Sequence, residues 1–227
     1  MFMSALPKQY LSEEQYLAQE RLASYKSEYY DGEIFAMAGA SRYHNSTNSG
    51  IFYALCKHCL PRGCDVYGSD MRVYVGATPI RGKSLYTYPD ITVVCGEPTF
   101  SDNQEDTLTN PLLIVEVLSE TTERYDRTTK FQMYKGLESL REYVLVAQQE
   151  PFIETFFRND NNEWIYTSAS GLEASLTLAS IDCTLHLQEV YIQTARMAGF
   201  RPNGFFNADG TPLRDTSINP ESLEFKS

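Results

Sequence analysis

The sequence predicts a mixed α/β (α+β) fold: a central mixed β-sheet flanked by helices, with an added β-hairpin. Three observations carry this. Short β-branched and apolar runs occur at 91–94 and 112–118. Longer segments with helical periodicity, 44–60 and 122–136, separate such runs rather than follow them in a block. Asp31-Gly32 and Asp160-Asn161-Asn162 sit between apolar stretches, where hairpin turns belong. Helices and strands in this order imply a sheet with helices packed on it.

The elements can be justified in order. Ser12-Glu13-Glu14-Gln15 has the form of a capping box. A helix should run from it to about residue 25, with Tyr16, Leu17, Ala18, Leu22 and Tyr25 on its apolar face. Residues 29–37 read as a hairpin or a strand entry, with Asp31-Gly32 as the turn signal. Residues 39–48 are polar and turn-like, and a helix from about 44 to 60 is stopped by Pro61-Arg62-Gly63. Strands are expected at 65–75 and 86–95, and an acidic loop at 97–110. The run 112–118 alternates poorly, so both faces of that strand should be covered. A helix over 122–136 ends at Gly136. Strands come next at 143–147, 152–157 and 164–168, then a short helix at 185–195. One domain is expected over 1–198. The Gly-, Pro- and Asn-rich segment 199–227 reads as a C-terminal tail, loosely packed or poorly ordered.

Composition narrows the function classes. The 227 residues are 42% hydrophobic and 22% charged, as in ordinary globular proteins. No apolar run approaches the roughly 20 residues needed to span a bilayer. No secretory leader is visible at the N-terminus. Five cysteines, an odd number without framework spacing, suit a reducing interior, so a cytoplasmic location is expected. The formal net charge of −11 opposes binding nucleic acid by bulk attraction. A bound divalent cation would change the local sign, and Arg124, Arg127, Lys130 and Lys135 gather just after Glu116.

The chemistry concentrates between residues 88 and 134. Asp90 opens one β-branched run and Glu116 lies inside another. A carboxylate in so apolar a strand is costly to keep charged unless something pairs with it. Hydrolysing a phosphodiester requires charge neutralisation and hydroxide near neutral pH, and Mg²⁺ held by one or two carboxylates supplies both. A nearby lysine positions the attacking water or stabilises developing charge. Asp126, Lys130 and Tyr134 recur every four residues and so share a helical face. The bland alternatives are a turn cap for Asp90, a structural ion pair with Arg127 or Arg141 for Glu116, and solvated charges for Lys130 and Glu33.

Tyr-Pro-Asp90, Ile-Val-Glu116-Val-Leu-Ser119 and Tyr125-Asp126-Arg127-Thr-Thr-Lys130-Phe-Gln-Met-Tyr134 together resemble the Uma2 family of restriction-endonuclease-like proteins, in the PD-(D/E)XK nuclease superfamily. The resemblance extends through Glu28-Tyr29-Tyr30-Asp31-Gly32-Glu33-Ile34 and Met37-Ala38-Gly39-Ala40-Ser41, and covers about residues 10–187. It implies metal-dependent hydrolysis of DNA, with Asp90 and Glu116 as ligands of Mg²⁺ or Mn²⁺. The superfamily's lysine usually stands two residues after the Glu, where this chain has Leu118. The resemblance therefore points to Lys130, moved onto the next helix, and to Glu33 as an additional acid from an early element. A non-catalytic interaction protein on the same scaffold is the competing expectation; the acidic balance and Leu118 favour it.

Other constellations carry less. Cys56, His58, Cys59 and Cys64 invite zinc, but Cys56 and Cys59 fall on a predicted helix among apolar residues. No second ligand pair exists, so they read as core cysteines. His44, near a helix start, is a turn histidine or a phosphate contact. Gly-x-Ser-x-Gly and glycine-rich phosphate loops are absent, and no organic cofactor is expected. The aromatic hairpin of 152–168 would lie on the main sheet or pair two subunits, which makes a homodimer an expectation.

Overall fold

Breaks at Ser69-Asp70 and Pro89 divide two of the expected apolar runs between different sheets. The computed structural model describes residues 10–76 and 83–197; the expected tail at 199–227 lies outside the described residues. Helix α1 (Glu13–Glu20) starts from the expected capping box, with Ser12 and Gln15 exchanging side-chain-to-backbone hydrogen bonds. It stops well before residue 25 because Glu20 turns inward. Its carboxylate accepts from Ser27 N at 2.8 Å and from Tyr88 Oη at 2.9 Å, which draws the chain back into a strand. Of the expected apolar face Tyr16 is fully buried, whereas Leu22 and Tyr25 are exposed.

Strands β1 (Ser27–Tyr30) and β2 (Glu33–Ala36) form the expected antiparallel hairpin. Asp31 and Gly32 both take positive φ (50° and 91°), as a primed turn requires. Helix α2 (Arg42–Cys59) begins where Ser41 Oγ accepts from His44 N at 3.0 Å. The expected strand at 65–75 is two: β3 (Cys64–Gly68) and β4 (Arg72–Val75) belong to different sheets, with Ser69 and Asp70 turning between them. The expected strand at 86–95 is also two, β5 (Leu85–Thr87) and β6 (Ile91–Cys95). Pro89 has no ladder donor and breaks the run between them. The acidic loop contains a two-residue strand, β7 (Thr107–Leu108), and β8 (Leu113–Leu118) is buried at every position.

The helix expected over 122–136 has three parts. They are α3 (Glu123–Tyr125), a π-helical turn (Asp126–Lys130) and α4 (Phe131–Tyr134). Strands β9 (Glu142–Ala147), β10 (Phe152–Arg158) and β11 (Trp164–Ser170) come after it. A further hairpin of β12 (Ser175–Leu178) and β13 (Cys183–His186), not anticipated from sequence, precedes α5 (Leu187–Met197).

The larger sheet runs β11-β10-β9-β8-β6-β3, with β8 and β9 parallel and the other pairs antiparallel. The 152–168 hairpin thus extends the main sheet. A second sheet runs β2-β1-β5-β4-β7. Leu113, Val115 and Val117 pack with Ile51 and Leu55 of α2 and Val190 of α5, while Ile114 and Leu118 pack with Phe131 and Tyr134. Alternation along β8 therefore assigns even positions, Glu116 included, to the α4 side. Helices α2 and α5 approach closely at Gly50, where a Cβ would stand 2.0 Å from the Val190 carbonyl oxygen.

Cys64 and Cys95, directly opposite across β3 and β6, form a disulfide. This corrects the reading of Cys64 as a core cysteine; strand register, invisible in the spacing, brings the two together. Cys59 and Cys183 are buried free thiols, as core cysteines should be. Among the described residues no helix is long and apolar enough to cross a membrane.

Candidate active site

The break at Pro89 places Asp90 just ahead of β6. Since Ile91 stands opposite Val115, the next position brings Asp90 beside Glu116. There β6 no longer supplies a ladder partner, and the Val117 N–H donates to Asp90 Oδ2 at 2.8 Å. The same oxygen lies 3.2 Å from His44 Nε2, at the start of α2. The strand end and the helix start thus fix this carboxylate from two sides.

Glu116 enters from the α4 face of β8. Its Oε1 accepts from Tyr134 Oη at 2.9 Å and from Lys130 Nζ at 2.9 Å. Lys130 is carried on the π turn and also faces Glu28 Oε1 at 3.1 Å and Asp126 Oδ1 at 3.7 Å. Glu28 belongs to β1 and accepts in turn from Thr87 Oγ1. All these acids and the lysine line one cleft of about 1090 Å³, walled by the 35–45 segment, the 119–122 loop and Tyr125.

Of the acids and lysine read from sequence, Asp90, Glu116 and Lys130 therefore share a cleft. Glu33 does not line it. It stands opposite Tyr30 at the turn end of the hairpin, and the acid that this hairpin delivers is Glu28, opposite Phe35. Asp126 and His44 complete the surroundings. Asp126 was visible as a helical partner of Lys130; nothing in spacing alone distinguished Glu28 from Glu33.

The electrostatics are set by burial. Burial works against the Lys130 charge, but Glu116 and then Glu28 outweigh it and hold the ammonium protonated. Glu116 is pushed up to about 8, by burial first, with Lys130 opposing and Asp126 and Asp90 adding repulsion. Asp126 is raised for the same leading reason. Burial works against a charged His44, but the hydrogen bond to Asp90, the Asp90 charge and the Val117 backbone together raise it. Four acids (Glu28, Asp90, Glu116, Asp126) gather about one ammonium, so acids outnumber bases in this part of the cleft.

That surplus, on hard oxygen donors, suits a divalent cation. Among the described residues no group of three or more His, Cys, Asp or Glu is arranged to hold a metal ion. Mg²⁺ does not demand such a cage: it keeps several waters and takes one or two carboxylates together with substrate phosphates. Asp90 and Glu116 are the carboxylates of the cleft that could meet that requirement.

A mixed sheet flanked by helices, with acids at adjoining strand positions and a lysine from the next helix, defines the restriction-endonuclease-like class. The chain belongs to the Uma2 family, described as "Putative restriction endonuclease", whose model matches residues 13–188. Two relatives come from Synechocystis sp. (strain ATCC 27184 / PCC 6803 / Kazusa). "Uncharacterized protein sll1609" is 34% identical over 166 residues, covering 73% of this chain and 91% of its own. "Uncharacterized protein slr1290" is 33% identical over 181 residues, covering 80% and 91%. A crystal structure described as "a putative nuclease belonging to DUF820 from Anabaena variabilis ATCC 29413" superposes with a TM-score of 0.63 at 16% identity. It covers 80% of this chain and 97% of its own, and shows the shared fold.

Proposed function

We propose that the protein is a Mg²⁺- or Mn²⁺-dependent nuclease that hydrolyses DNA phosphodiester bonds. One observation supports this most strongly. Leu118 occupies the usual lysine position, yet Lys130 Nζ arrives 2.9 Å from Glu116 from a different element. Asp90 and Glu116 would hold the cation, which supplies charge neutralisation and an acidified water when bound. The chain's own groups do the rest. The Val117 N–H and His44 hold Asp90 in place, and Tyr134 holds Glu116. Lys130 keeps its proton and, with two N–H groups directed at Glu116 and Glu28, offers the third to an attacking water or to a phosphate oxygen. Glu28 and Asp126 fix the direction in which that ammonium points.

The test is nicking of DNA by full-length protein with Mg²⁺ or Mn²⁺. Asp90→Ala and Glu116→Ala each abolish it if the reading holds, while activity that survives both substitutions overturns it. The competing interaction-protein reading draws on Lys130 being enclosed by acids and on the charge of −11. It predicts no thermal shift with Mn²⁺. A cytoplasmic location and a homodimer belong to the same proposal; the Cys64–Cys95 bond sits least easily with the first. Exposed Ile165 and Tyr166 on β11 favour the second, and a monomeric mass by solution scattering would remove it.

A further inference from the structure

The walls and depth of the cleft speak to the form in which a substrate enters. We propose that the site takes an unpaired strand of DNA rather than an intact duplex, with a base stacked among Tyr30, Phe35, Tyr43 and Tyr125. This rests on the nuclease reading above and narrows its substrate.

Depth is the first argument. The side chains of Glu116 and Lys130 are each 6% exposed, Glu28 13% and Asp90 16%. A duplex carries its phosphates on the outside of a stiff rod, with grooves about 12 and 6 Å wide. Such a rod presents its phosphates only at its outer surface, whereas the ammonium of Lys130 lies below the surface of the protein. A single strand turns freely about its backbone and can be drawn in.

The wall chemistry is the second. Five Tyr and Phe side chains line the cleft: Tyr88 is buried, while Tyr30, Phe35, Tyr43 and Tyr125 form its walls, and Phe35 is 50% exposed at a strand position where burial would be the cheaper arrangement. Glu28 stands directly across the hairpin from Phe35, so that ring lies beside the acids. Residues 36–41 on the same wall are small or apolar and carry no charge. Unpaired bases present flat faces that stack on aromatic rings whatever their sequence; paired bases in a duplex hide those faces.

Charge is the third. Among the described residues lining the cleft the only lysines are Lys26 and Lys130, and there is no arginine. Lys26 is paired with Asp70 at 2.9 Å, and Lys130 with the acids already named. Duplex binding draws its affinity from Lys and Arg contacts along the phosphates. Here that row is missing, and stacking is the contact the walls can supply.

The experiment uses full-length protein with Mn²⁺ and three labelled DNAs of one sequence: single strand, perfect duplex, and duplex with a central unpaired stretch. The expected result is cleavage of the single strand and of the unpaired stretch about tenfold or more faster than the duplex. Phe35→Ala should slow single-strand cleavage about tenfold and Phe35→Trp should restore it, since the exposed ring is a stacking platform. Equal rates on duplex and single strand, or no effect of Phe35→Ala, would overturn the proposal. Cleavage that Asp90→Ala abolishes would in that case leave the nuclease reading standing. Preference for single-stranded RNA over DNA would also overturn it. Failure to cut any of these DNAs, with no Mn²⁺ thermal shift, would remove both readings together.

Discussion

Lys130 is the residue on which the buried charges of the cleft meet. Its ammonium is buried with Glu116, Glu28 and Asp126 around it, so removing it leaves three acids without their counter-charge. Lys130→Met should destabilise the fold by about 3–5 kcal/mol, the range for breaking a buried pair, measured by urea unfolding at neutral pH. Pairing it with Glu116→Gln should recover part of that loss, because less charge is then stranded. Asp106 offers a pH test away from the cleft. Arg21, against the effect of burial and with help from Arg72, holds its carboxyl far below the usual range. A depressed carboxyl stabilises the fold above its unfolded value, near 4, and loses that contribution as pH falls below it. Asp106→Asn should therefore lower stability at neutral pH by about 1.5–3 kcal/mol, as for hydrogen bonds to charged groups. The gap to wild type should close progressively below about pH 4. At this scale the sequence was partly legible. Pro-Asp90 and a Glu inside an apolar strand announce themselves by the cost of burying charge. Glu28 and Glu33 share a strand-pair face, and only the distance from the turn, set by three-dimensional placement, says which one reaches Lys130.

At the scale of elements, the two long apolar stretches read as single strands each divide between two sheets. Hydrophobic pattern alone could not show this, because β3 and β4, or β5 and β6, are apolar on both sides of the break. The breaks themselves were visible as Ser69-Asp70 and Pro89 but carried no sign of a change of sheet. The β12–β13 hairpin was overlooked because each strand is four residues long and half exposed. Helix packing gives a prediction here. Gly50→Ala would press a methyl group into the Val190 carbonyl, backbone against backbone. It should cost about 1–3 kcal/mol by overpacking, read as a lowered urea midpoint with unchanged m-value. The free thiols give another. Burial pushes Cys59 and Cys183 up to about 11, so alkylation of the folded protein should be slow at neutral pH and become fast on unfolding.

For the molecule as a whole, acidic residues outnumber basic ones by 30 to 19, a formal net charge of −11, and part of that excess is concentrated in one cleft. A cation bound there stabilises the folded state by mass action, about 2.7 kcal/mol at a hundredfold excess over its dissociation constant. A rise in melting temperature with Mn²⁺ that disappears in Asp90→Ala and Glu116→Ala checks this directly. The architecture, a mixed sheet between helices, was readable because long periodic helices and buried strands are the strongest signals in a chain. Which strands adjoin, and the Cys64–Cys95 bond that depends on it, were not, because register is decided by contacts between segments far apart in sequence.

The π turn from Asp126 to Lys130 has a consequence for how this lysine is held to its acid. A π turn holds about one residue more than an α-turn of the same height. Deleting one threonine at 128 or 129 would let the turn close as an ordinary α-turn with its flanks near their present places, so Asp126 and Lys130 would stand one residue closer in sequence and point in new directions within the turn. Phe131 and Tyr134 are anchored in the core, so the mismatch would fall on the amine and on the acid beside it. The address of this lysine is therefore kept by a count of residues, and the loss of one codon would misdirect it while leaving every chemical group of the site in the gene.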